Sequence, residues 1–85
     1  MDKKIDENQL AERIIIEILE SLKALGKSPS DEFKYDCAIN EENLTSNFSF
    51  EKFFQIINLQ IPGSFRVFRT PMGISLRMDF NKNNT

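Results

Sequence analysis

The stretch Ser64–Phe80, SFRVFRTPMGISLRMDF, decides the fold, because it reads as two strands folded around a proline-glycine turn. Phe65 and Val67 alternate with Arg66 and Phe68, the period of two that a half-buried strand requires. Thr70-Pro71-Met72-Gly73 then places proline second and glycine fourth, as a type I turn leading into a bulge prefers. On the return strand Ile74, Leu76, Met78 and Phe80 form one row and Ser75, Arg77 and Asp79 the other. The hairpin therefore offers one apolar face to a core. Its opposite face carries Arg66, Phe68, Thr70, Ser75, Arg77 and Asp79.

The apolar row needs a cover, and the upstream sequence supplies it. Asp6 is placed to cap a helix, Gln9 to reach back to it as in a capping box, and Ile5 and Leu10 to staple the start. Leu10, Ala11, Ile14, Ile15, Ile18, Leu19, Leu22 and Leu25 then share one half of a 3.6-residue wheel, and Gly26-Lys27 stops the helix. Ile16 points away from that stripe among charges, either as a self-association contact or as a lone surface side chain. In FKYDCAI, Phe33, Tyr35, Cys37 and Ile39 alternate with Lys34, Asp36 and Ala38, which predicts a strand. After a polar loop, Ser49 caps a second helix with Phe50, Phe53, Phe54, Ile57 and Ile61 on one face, ended by Pro62-Gly63.

The order helix, strand, helix, strand, strand predicts an α+β domain, with two helices packed on a small three-stranded sheet that ends in a C-terminal β-hairpin. With the first two strands as neighbours, the helix between them would form a right-handed parallel crossover. A chain of 85 residues is one domain, 1–85, with flexible ends expected at about 1–5 and 81–85. A sheet this small has open edges, and neither edge carries a proline, so homodimerisation by strand addition is a further expectation.

Charge is distributed unevenly. Residues 1–60 hold seven Lys/Arg and twelve Asp/Glu, net −5, whereas residues 61–85 hold Arg66, Arg69, Arg77 and Lys82 against Asp79, net +3. An acidic helical side and a basic hairpin side follow. The guanidinium fork binds carboxylate or phosphate through two hydrogen bonds and stacks on aromatic rings. Arg66, Phe68, Arg69 and Arg77 are thus the candidate binding residues, for a protein partner or, alternatively, for RNA or single-stranded nucleic acid. The acidic total and the few cations favour protein, since sequence-independent nucleic-acid binding rests on several phosphate contacts. The plainer reading is a solubilising face whose arginines pair with the acidic first helix.

Catalysis is not expected. Histidine is absent, which removes the side chain most used for proton transfer near neutral pH and the commonest metal ligand. The adjacent carboxylates Asp31-Glu32 and Glu41-Glu42 fall in polar loops, and Gly26, Gly63 and Gly73 are isolated rather than grouped into a phosphate-cradling loop. No catalytic, cofactor-binding or metal-binding residues are therefore assigned, and no cofactor is expected. Cys37, alone and with no basic neighbour, reads as a small core residue. One cysteine, a charged N-terminus and no long apolar run point to a cytoplasmic chain without membrane contact. Asn-x-Ser/Thr triplets at Asn43, Asn47 and Asn83 follow from an asparagine-rich composition. The bias toward Asn, Lys, Ile and Phe is what AT-rich coding produces, and suggests an accessory protein of phage or low-GC bacterial origin. The expected role is stoichiometric binding to a partner, as an inhibitor, adaptor or regulator.

Overall fold

The computed structural model describes residues 4–81. Helix α1 (Glu7–Leu25) begins where Asp6 and Gln9 exchange both capping-box bonds, at 2.9 and 3.1 Å. It ends at Gly26, whose φ of 72° is the left-handed conformation that lets its N–H turn back onto the last carbonyls. Strand β1 (Phe33–Ile39) has the expected bounds and is followed by a short 3-10 turn (Glu41–Asn43). Ser49 caps α2 (Phe50–Gln60), and the hairpin comprises β2 (Gly63–Thr70) and β3 (Gly73–Phe80).

The sheet order is β1-β3-β2, with both pairings antiparallel. Of the orders the sequence left open, the one with the first two strands as neighbours is not adopted. The parallel crossover between neighbours is absent because β3 lies between β1 and β2, pairing with the whole of β1 from Phe33↔Phe80 to Ile39↔Ile74. The hairpin register runs unbroken from Thr70↔Gly73, so the expected bulge is absent too. A φ of 138° at Gly73 makes the tight return. A Cβ there would also meet the Ile39 carbonyl oxygen at 2.9 Å, so Gly73 lets the hairpin end close against β1.

β3 is the spine of the core. Ile74, Leu76, Met78 and Phe80 are buried beneath Ile14, Ile18 and Leu22 of α1 and Phe53 and Ile57 of α2. Burial of this set, at about 1.5–3 kcal/mol per large side chain, holds both helices on one face of the sheet. Phenylalanines extend it outward: Phe54 stacks on Phe65 at 4.5 Å and Phe33 on Phe80 at 4.7 Å. Seven of the eight phenylalanines belong to this core or pack against it, and Phe68 is the exception.

Two further contacts lie near the ends of the described residues. Ile5 bridges to Leu44 through hydrogen bonds with Asn43 and Thr45, and Leu44 is buried. The side chain of Asn81 donates to the carbonyls of Pro29 and Asp31 at 2.6 and 2.9 Å. Ile5 and Asn81, at the inner limits of the two end segments, thus each hydrogen-bond to a distant part of the chain. The remaining end positions, 1–3 and 82–85, lie outside the described residues.

Candidate binding face

With both helices on one side, no described residue covers the other face of the sheet. Alternation puts three cross-strand rows on it: Lys34–Asp79–Ser64, Asp36–Arg77–Arg66 and Ala38–Ser75–Phe68. The middle row sets two arginines directly opposite one another, an unfavourable pair in isolation. Asp36 compensates on the far side, its carboxylate 3.5 Å from Nε of Arg77. The Arg77 guanidinium also lies 5.7 Å from the centre of the Phe68 ring. An exposed contact of this kind contributes about 0.5–1 kcal/mol and fixes the orientation of both groups. Among the described residues, Arg66 has no carboxylate within ion-pair distance. The face thus presents one uncommitted guanidinium, one oriented guanidinium and a ring that is 42% exposed.

Arg69 does not join them. It shares the parity of Phe65 and Val67, so its side chain leaves β2 on the helix side. There it pairs with Glu41, Nη1 lying 3.2 Å from both carboxylate oxygens. Neither ion pair of an arginine involves α1, so the expected pairing with the acidic first helix is not how these cations are used. Asp79 sits on the face as expected, and Asp36 of β1, which the hairpin alone could not supply, joins it there. Alternation in FKYDCAI already carried the signal for Asp36. Oδ1 of Asp79 is buried without a hydrogen-bond partner, so the fold leaves one acceptor of this face unsatisfied.

Ile16, the other candidate contact, is 50% exposed on the helical side, remote in the layering from the sheet face. It lines a shallow groove between α1 and α2 with Ile15 and Ile56.

The remaining polar groups serve the fold. Tyr35 faces α1 and donates its hydroxyl to Glu17 at 2.5 Å; burial, with that bond and the Glu17 charge, holds its phenol well above the usual range. Burial likewise pushes the Cys37 thiol up to about 11, with Glu17 and Asp36 adding to the effect. The thiol is therefore protonated at neutral pH and a poor nucleophile. Among the described residues, no group of three or more Cys, Asp and Glu side chains is placed to hold a metal ion. No described helix is long and apolar enough to cross a membrane. No family model matches the chain, and comparison with curated proteins and with solved structures finds no match either.

Proposed function

We propose that the protein is a non-catalytic binding module whose uncovered sheet face captures a partner protein through Arg66, Phe68 and Arg77. The observation that carries this reading is the Arg66↔Arg77 pair beside an outward-facing Phe68. A fold that needed only solubility there would gain nothing from facing two guanidinium groups across a ladder or from holding a phenylalanine outside its core. Arginine and aromatic side chains at the centre of a contact supply most of the binding energy in many interfaces.

Charge favours a protein over a nucleic acid. Lys34, Arg66 and Arg77 share the face with Asp36 and Asp79, leaving a surplus of one positive charge. That is too little for the multiple phosphate contacts of sequence-independent nucleic-acid binding. It suits a partner that offers a carboxylate to Arg66 and apolar surface to Phe68. The reading fits a cytoplasmic accessory protein that acts as an inhibitor, adaptor or regulator by occupying its partner.

The test is affinity capture from host lysate with the wild type, Arg66→Glu and Phe68→Ala, after circular dichroism has verified that the variants fold. A stoichiometric protein band lost with both variants supports the reading. Capture that is equal for all three excludes this face. Nuclease-sensitive absorbance at 260 nm that follows the wild type and disappears with Arg66→Glu would instead assign the face to RNA or single-stranded nucleic acid.

A further inference from the structure

The two outer strands of the sheet are not equally open. At β2 the Gly63 N–H is taken by the Asn58 side chain at 2.9 Å, and the helix-side row ends in the charged Arg69. An inward-directed charge of this kind blunts an edge against strand addition. β1 has no such protection. Among the described residues, none of the Phe33–Ile39 backbone groups is hydrogen-bonded outside the ladder with β3, and its helix-side row, Phe33, Tyr35, Cys37 and Ile39, is uncharged and only half-buried.

A groove of about 260 Å³ runs between that row and α1, walled by Arg13, Ile14 and Glu17 and floored by Cys37 and Ile39. Ala38 also lines it, although its side chain belongs to the opposite row. The groove therefore opens onto the free backbone edge of β1. A strand added there would bury its helix-side residues in the groove.

We infer that the occupant is a second copy of this chain, joined antiparallel through β1 on a two-fold axis at Tyr35. A two-fold antiparallel pair aligns residues of equal parity, so the choice is among a few registers. With the axis at Tyr35, Lys34 lies opposite Asp36 of the second copy, and Asp36 opposite its Lys34. Two opposite-charge pairs form at once. The same register brings Phe33 of the second copy opposite Cys37 on the helix side. Moving the axis to Asp36 sets two aspartates face to face; moving it to Cys37 leaves Asp36 opposite Ala38. The wall charges of the groove, Arg13 and Glu17, are one of each sign. The product is a continuous six-stranded sheet whose two outward faces each keep their Arg66, Phe68 and Arg77. This inference is independent of what those residues bind.

Sedimentation of the full chain from about 1 to 100 µM tests it. The expected result is twice the chain mass for the wild type. Lys34→Glu sets like charges across both pairs and raises the dissociation constant about tenfold or more, and the exchange Lys34→Asp/Asp36→Lys recovers the dimer. A second variant reads the register directly. Phe33→Cys gives an intermolecular disulfide with Cys37 under mild oxidation, a bond impossible within one chain, where the two positions are about 13 Å apart along the strand. A wild type that is monomeric throughout the range overturns the inference, as does a dimer indifferent to Lys34→Glu. Wild-type dimers linked Cys37 to Cys37 on oxidation overturn the Tyr35 register.

Discussion

The two faces of β3 come from the same eight residues, yet one is dry and the other is open. Ile74, Leu76, Met78 and Phe80 are at most 2% exposed, whereas Ser75, Arg77 and Asp79 between them reach the uncovered side. Adjacent positions on one strand thus carry different tasks, one set holding the helices and the other meeting solvent or a partner. Stability and recognition should be separable by single substitutions one residue apart. The largest contrast lies at the end of the strand: Phe80→Ala removes a fully buried ring that contacts both Phe33 and Phe65. A loss of about 3–5 kcal/mol is expected in urea unfolding, a large part of the total of about 5–15 kcal/mol typical of a domain. Arg77→Ala should leave the midpoint within about 1 kcal/mol of wild type, since its ion pair is exposed. Partner capture should nevertheless fall. Comparable destabilisation by both substitutions would break the contrast.

Gly73 tests how the dry face is assembled. Alanine there meets both a φ of 138° and the Ile39 carbonyl at 2.9 Å, so the β1–β3 junction must shift or the turn must strain. A loss of about 1–3 kcal/mol in thermal or urea unfolding is expected. A neutral Gly73→Ala would mean that the hairpin end can move away from β1 freely, and that the order β1-β3-β2 is held from the Phe80 end alone.

Local chemistry was legible in the sequence and long-range pairing was not. Asp6 with Gln9, Ser49, Gly26 and the alternation of FKYDCAI each act within a few residues of chain, and each appears in the structure at its expected place. That β1 pairs with β3 depends on residues 33–39 meeting residues 74–80, and nothing local distinguishes that partner from β2. Leu44 shows the same limit: it is buried in the common core, with Ile5, ahead of α1, bridging to it. Leu25 fails in the opposite sense. It lies on the apolar stripe, yet the last turn of α1 leaves it 70% exposed. At the candidate face, Arg66, Phe68 and Arg77 were placed correctly by parity. Arg69 was grouped with them by charge, although its own parity assigns it to the other side.

The helix caps give a smaller effect that sharpens the contrast between local and long-range contributions. Ser49→Ala deletes the bond that Oγ accepts from the Lys52 N–H at 3.2 Å, and about 1 kcal/mol should be lost. The Ser49 N–H itself donates to the Glu7 carboxylate at 2.7 Å, linking the start of α2 to the start of α1. That backbone bond, followed by the N–H of Glu7 itself, holds the Glu7 carboxyl below the usual carboxylate range. A carboxyl whose pKa is lower folded than unfolded stabilises the fold above its unfolded value, and the contribution disappears as pH falls through the folded one. Glu7→Gln should therefore lower the melting temperature slightly at pH 7 and converge with wild type in acid, below the ordinary Glu range near 4.5. A melting difference that persists undiminished through that range would show that Glu7 acts on helix pairing by shape rather than by charge. The two helices would then be docked by their apolar stripes alone, with the sheet as their sole organiser.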